Sequence, residues 1–143
     1  IIGNITTFFY NNVVSISDSS DYSNAYSKIN LSILSLLKES NITNIEIGNY
    51  EKKEDIYTFI PSENNIGTAM KVTIGTGEDA DVKIIALIEK QIYLNRVLLG
   101  ENITSFNLSE EHESYEDKEN YKIAMNIRIG KESYTHTYTS KVE

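Results

Sequence analysis

From Tyr121 to Ile129 the chain alternates strictly. Tyr121, Ile123, Met125, Ile127 and Ile129 are interleaved with Lys122, Ala124, Asn126 and Arg128. Successive side chains of a strand point to opposite faces, so this is the pattern of a half-buried β-strand. Gly130-Lys131-Glu132-Ser133 then supplies turn residues. Beyond it Tyr134, His136 and Tyr138 alternate with Thr135, Thr137 and Thr139. The two runs predict a closing antiparallel hairpin.

Other strands follow from similar patterns. Ile56, Thr58 and Ile60 alternate with Tyr57, Phe59 and Pro61. Met70, Val72 and Ile74 alternate with Lys71 and Thr73 until Gly75-Thr76-Gly77 ends the run. Val82 to Ile88 is apolar almost throughout, which predicts a strand buried on both faces. Glu89-Lys90 reads as a turn into Gln91–Leu99, Gly100 breaks the connection, and Ile103–Leu108 is a further strand. Ser109–Asn120 is rich in carboxylates and reads as an acidic loop. Nothing alternates strand with helix, which argues against a doubly wound parallel sheet.

Residues 1–41 read differently. Tyr22, Ala25, Tyr26, Ile29, Ile33, Leu36 and Leu37 fall three and four apart, on one face of a helix. Asp18, Ser19 and Ser20 offer N-caps, Lys38 suits the negative end of the helix dipole, and Asn41 is a stop. Ile2, Ile5, Phe9, Val13 and Ile16 continue the spacing upstream, with a bend or break expected around Ser15–Ser20. The expectation is therefore α+β: a long helix over residues 1–41 packed on antiparallel sheet from a β-rich head, 42–143, as one domain.

Composition narrows the function. The chain has 143 residues and a formal charge of −8, with 21 acidic and 13 basic residues. Such a surface repels nucleic acid and anionic lipid, and the basic residues form no cluster. The absence of cysteine excludes disulfides, thiolate metal sites and cysteine nucleophiles. No run of apolar residues is long enough to span a membrane. Heavy use of Ile, Asn, Lys, Ser and Tyr suggests an AT-rich bacterial source. The chain opens at Ile1-Ile2-Gly3 without a methionine, and the expectation is that an upstream segment has been removed.

Candidates for chemistry are few. His112 sits in the acidic loop and reads as solvated, whereas His136 lies on the Tyr134/Tyr138 face of a strand and reads as a packed or edge residue. Glu110, Glu111, Glu113, Glu116, Asp117 and Glu119 carry charge without the ligand spacing or glycine of a calcium loop. Asp79 and Asp81 start such a pattern, and Val82-Lys83-Ile84 ends it. Gly75-Thr76-Gly77 lacks the strand-to-helix setting of a phosphate loop, and no Gly-x-Ser-x-Gly elbow is present. The residues point to no catalytic group, no metal and no cofactor.

A long helix, a β-rich head and a missing upstream segment together resemble type IV pilins and type II secretion pseudopilins. Within that family Val82–Ile88, then Gln91-Ile92-Tyr93-Leu94-Asn95-Arg96, then Leu98-Leu99-Gly100-Glu101-Asn102-Ile103-Thr104-Ser105-Phe106 are similar to the PilW-like, or J-type pseudopilin, branch. The family's cleavage site and following glutamate are not in this sequence.

The resemblance implies a pilin-like fold and a non-enzymatic filament subunit in an initiating or tip complex. It also implies a cell-surface location and anchoring through a missing N-terminal hydrophobic helix. Partners would be other major and minor pilins, with no nucleic acid. Ile2, Ile5, Phe9, Val13 and Ile16 are then expected to pack between subunits. The competing readings are an extracellular binding module or adhesin and a small secreted enzyme using carboxylates. A short basic leader followed by about 20 apolar residues with one glutamate would mark the first reading, and a conventional signal peptide the second.

Overall fold

The computed structural model describes the backbone of residues 17–142 and the side chains of residues 24–142. A helix, α1 (Ser17–Leu37), leads into ten strands. These are β1 (Ile42–Lys53), β2 (Ile56–Pro61), β3 (Ile66–Gly67), β4 (Ala69–Ile74), β5 (Asp81–Ile88), β6 (Gln91–Leu94), β7 (Val97–Gly100), β8 (Ile103–Tyr115), β9 (Lys118–Ile129) and β10 (Glu132–Val142). They form a six-stranded sheet in the order β2-β1-β4-β5-β6-β7 and a four-stranded sheet in the order β10-β9-β8-β3. Every described strand pairing is antiparallel.

The expectation of an α+β, pilin-like molecule organised by a long helix is overturned. Ten strands stand against a single helix of 21 residues, so the described part of the molecule is mainly antiparallel β. The first part of the predicted helix, with Ile2, Ile5, Phe9, Val13 and Ile16, lies outside the described residues. No break falls at 17–20: α1 runs through Asp18, Ser19 and Ser20, which therefore do not cap a later start. The helix also stops short of Asn41. Lys38 and Glu39 donate their amides only to the turn carbonyls of Leu34, Ser35 and Leu36. Asn41 itself takes φ 68°, a left-handed value that a helix does not continue through.

Three further readings are corrected. The acidic segment 109–120 is not a loop, because β8 and β9 pair from Ile103↔Ile129 out to Tyr115↔Lys118 around a turn at Glu116–Asp117. Gln91–Leu99 is two strands, with Asn95 at φ 54° in the turn between them, and Gly100 ends β7 rather than breaking a connection. In β5 only Ile85 and Ala86 are fully buried, one on each face, while Val82 is exposed. Burial on both faces thus holds for the middle of that strand alone.

The core follows from the registers. On β9, Tyr121, Ile123, Met125, Ile127 and Ile129 are all buried and the intervening residues are not. Phe106, Leu108 and Tyr138 extend the same face onto β8 and β10. The facing sheet contributes Ile45, Ile47, Met70, Val72 and Ile85. The sheets pack through β1 and β4 against β3, β8 and β10, and α1 lies on β7 of one sheet and on β9 and β10 of the other. Ile29, Ile33, Leu36 and Leu37 are the buried face of α1, as their spacing predicted.

A tyrosine clamp joins α1 to β10. Tyr26 stacks on Tyr134 with ring centroids 4.3 Å apart, and the Tyr138 hydroxyl donates to Asn30 Oδ1. Burial, reinforced by Tyr26, pushes the Tyr138 hydroxyl far above its ordinary value, and burial with Tyr134 raises Tyr26. The phenol must stay neutral in the folded state while the unfolded chain ionises near pH 10. Between the two values the folded state binds more protons, so stability falls as pH rises. Thermal melts followed by circular dichroism are therefore expected to be flat up to about pH 9 and to drop steeply above it. Tyr138→Phe is expected to flatten that alkaline limb while costing about 1 kcal/mol at neutral pH through the lost hydrogen bond. A wild-type alkaline limb unchanged in Tyr138→Phe would remove Tyr138 as its source.

Candidate functional site

Beyond the core, the β8–β9–β10 face continues as polar residues. The register puts Glu110, His112 and Ser114 of β8 beside Glu119 and Tyr121 of β9 and Ser140 of β10, all on the core-facing side. His112 stacks on the Tyr121 ring at 4.9 Å between centroids, with an interplanar angle of 18°. Its Nδ1 lies 2.9 Å from Glu110 Oε1 and its Nε2 lies 3.4 Å from Glu119 Oε2. Ser114 Oγ donates to the other Glu119 oxygen at 2.8 Å. The Glu110 side chain is buried, whereas Glu119 and His112 are partly exposed.

His112 and Tyr121 of this cluster, with Glu111, Glu113, Asn120 and Lys122, form one wall of a groove of about 1170 Å³. The other wall is the end of α1: Leu37, Lys38, Glu39 and the residues to Asn41. Ser140 closes the floor by donating its hydroxyl to the Leu37 carbonyl at 2.9 Å, one of the carbonyls a helix end leaves without an intrahelical partner. Burial, with the carboxylates of Glu110, Glu119 and Glu46 adding to it, raises the Tyr121 hydroxyl above its ordinary range. Both signs of charge line the groove, Lys38, Lys122 and Lys141 against Glu39, Glu111 and Glu113.

The chemistry this arrangement supports is limited. A general base needs a ring nitrogen within reach of the proton it takes. Both nitrogens of His112 face carboxylates, and the nearby Ser114 hydroxyl is directed to Glu119 instead of the ring. The cluster ties β8 to β9 where the hairpin outruns the core. Among the described residues, no group of three or more His, Asp or Glu is placed to hold a metal ion, and no buried side-chain N or O lacks a hydrogen-bond partner.

A second groove, about 710 Å³, runs along α1 on the side of the six-stranded sheet. Ala25, Leu31 and Leu36 of the helix face Lys83, Leu94 and Leu99 across it.

The other sequence candidates are scattered. Glu78 and Asp79 lie in a short 3-10 turn and Asp81 opens β5, all three exposed. Thr43 Oγ1 caps the Gly75 carbonyl at 2.7 Å, so the Gly75-Thr76-Gly77 segment is a turn beside β1. Glu111, Glu113, Glu116 and Asp117 are exposed, and His136 is exposed with its ring tilted on Tyr138. The subunit-packing candidates Ile2, Ile5, Phe9, Val13 and Ile16 fall outside the described residues. Sequence reasoning missed the Glu110–His112–Glu119–Tyr121 grouping. The signal for it was the two-residue alternation of Glu110, His112 and Ser114, in phase with Phe106 and Leu108.

No family model, curated protein or solved structure matches the chain.

Proposed function

We propose that the chain is a non-enzymatic structural subunit of a cell-surface filament of the type IV pilus kind, a minor pilin acting in the initiating or tip complex. The observation that supports it is the junction of helix and head. The last turns of α1 bury Ile29, Ile33, Leu36 and Leu37 against both sheets, so a segment preceding α1 is coupled to the whole head rather than to one strand. The apolar spacing of Ile2, Ile5, Phe9, Val13 and Ile16 gives that preceding segment side chains for packing on neighbouring subunits. No helix among the described residues is long and apolar enough to cross a membrane. In this reading the anchor is a separate hydrophobic segment upstream, and the partners are other major and minor pilins.

The test is deletion of the gene in the source organism, scored for surface filaments by electron microscopy. The expected result is loss of filaments, restored by the wild-type gene and not by a version carrying Ile5→Asp and Phe9→Asp. Normal filaments in the deletion strain would sink the reading.

One observation favours a surface binding module instead. Tyr50, Tyr57 and Phe59 share the outer face of the β1–β2 hairpin, with Tyr50 and Tyr57 ring centroids 6.1 Å apart. Lys52 and Lys71 lie over the Tyr57 and Phe59 rings. Normal filaments with lost surface adhesion in the same deletion strain would select that module.

A further inference from the structure

β2 is the terminal strand of the six-stranded sheet, and among the described residues no strand pairs with its outer edge. Natural edge strands are normally guarded by charges, bulges or a covering element, because an open ladder recruits other strands. Ile56-Tyr57-Thr58-Phe59-Ile60-Pro61 carries no charge. Ile56 is 67% exposed and Ile60 40%.

The hydrogen-bonding phase of this edge is fixed by the hairpin. Glu54 and Asp55 form a two-residue turn with positive φ at both, so Lys53 and Ile56 exchange the first pair of ladder bonds. The phase then repeats every second residue, and Ser62 N–H donating to the Ile47 carbonyl at 2.9 Å confirms it at the far end. Ile56, Thr58 and Ile60 thus turn their backbone groups toward β1. Tyr57 and Phe59 present theirs outward. Pro61 also falls on the outward phase, where a missing N–H is tolerated.

From Ile56 to Ile60 this edge is symmetric in residue class about Thr58, isoleucine matching isoleucine and aromatic Tyr57 matching aromatic Phe59. In an antiparallel pairing of β2 with β2 of a second copy, Thr58 meets Thr58 on the two-fold axis, Tyr57 meets Phe59, and Ile56 meets Ile60. Tyr57 and Phe59 supply the outward N–H and C=O groups for four main-chain hydrogen bonds. The exposed isoleucines pair on one face and the aromatic rings on the other, the kinds of cross-strand pair that stabilise sheets. A two-residue slip draws in either Pro61, which has no N–H, or the turn residue Asp55 at φ 68°. At the symmetric register the charged Asp55 faces Pro61 and no like charges oppose one another.

We propose that the β2 edge is a self-association surface, and that its partner is β2 of a second copy of this chain, joined about a two-fold axis to make a continuous twelve-stranded sheet. Such symmetric interfaces are self-complementary by necessity. The contact is small, at the weak and transient end of specific interfaces. The formal charge of −8 on each copy opposes it, so it strengthens with salt.

The chain has no cysteine, which makes the test direct. Thr58 occupies a non-hydrogen-bonded pair across the proposed axis, where Cα atoms lie about 4.5 Å apart, within the range a disulfide needs. Thr58→Cys and a control, Thr137→Cys on the exposed outer face of β10, are oxidised at equal concentration in moderate salt, with circular dichroism melts confirming the fold of each. Thr58→Cys is expected to form covalent dimer about tenfold faster than the control, through the raised local concentration of the paired edge. Sedimentation of the cysteine-free chain is expected to show dimer growing with concentration and salt, and Thr58→Lys to remain monomeric. Equal crosslinking of the two cysteine variants, or a wild-type chain monomeric up to roughly 1 mM, would overturn the proposal.

Discussion

Replacing Gly67 with alanine is expected to lower stability by about 3 kcal/mol, at the top of the range for overpacking. The chain passes from β3 in one sheet to β4 in the other through Gly67-Thr68-Ala69, and there it presses against β1. A Cβ on Gly67 would sit 2.1 Å from the Gly48 carbonyl oxygen and 2.7 Å from its carbon. Both are backbone atoms, and Gly48 has no room to retreat. It is paired with Pro61 on one side and with Ala69 on the other, and its own Cβ position is 2.2 Å from the Ile60 carbonyl oxygen. Asn49 Oδ1 pins the crossing from the other side by accepting hydrogen bonds from both the amide and the hydroxyl of Thr68. Gly77→Ala is the comparison. Nothing lies within 4 Å of its Cβ position, but its φ of 72° is left-handed, so a cost of about 1 kcal/mol is expected. Urea denaturation reads both. A Gly67→Ala midpoint equal to that of Gly77→Ala would show that the crossing yields.

Legibility of this sequence depended on what each signal measured. Spacing of three and four over Ile29, Ile33, Leu36 and Leu37 measured one buried face, and that face is buried. Alternation over Tyr121–Ile129 likewise found β9 and its hairpin partner. The same signals did not say which element organises the molecule. Weighting the helix over the strands produced the wrong fold class.

Turns were harder, because the usual cue for a two-residue hairpin is glycine after asparagine or aspartate. Here Glu54-Asp55 and Glu116-Asp117 take positive φ at both residues without any glycine. Glu89-Lys90 does the same and is read correctly as a turn, whereas Glu116-Asp117 is not. That turn hid a strand pair. With no glycine to mark the turn, carboxylate density over 109–120 read as solvated loop. In the structure the carboxylates are spread along a paired ladder, with Glu111 opposite Lys122, Glu113 opposite Asn120 and Glu119 opposite Ser114. The groove walled by His112 went unseen for the same reason, since its residues come together only once β8 and β9 are paired across that turn.

Ile33→Ala is expected to cost about 4 kcal/mol, near the upper end for deleting a fully buried isoleucine. Ile33 is 0% exposed and lies one turn from Ile29, also 0% exposed, with Leu36 and Leu37 following. The helix has little to fall back on. α1 is rich in serine and contains a lone alanine at position 25, a composition with weak intrinsic helix propensity. Isolated helices of modest length are marginal in water, and tertiary packing supplies most of their stability in proteins. Loss of the Ile33 side chain leaves a cavity where α1 meets both sheets, and the facing strands cannot close on it, because each is held in a ladder. Ser35→Ala, on the exposed side of the same turn, is expected to change stability by less than about 0.5 kcal/mol. In urea denaturation followed by far-ultraviolet circular dichroism, the Ile33→Ala midpoint should fall well below wild type with an unchanged slope, while Ser35→Ala superimposes on wild type. An Ile33→Ala cost below about 1 kcal/mol would mean that the helix does not carry the junction on which the filament-subunit reading rests.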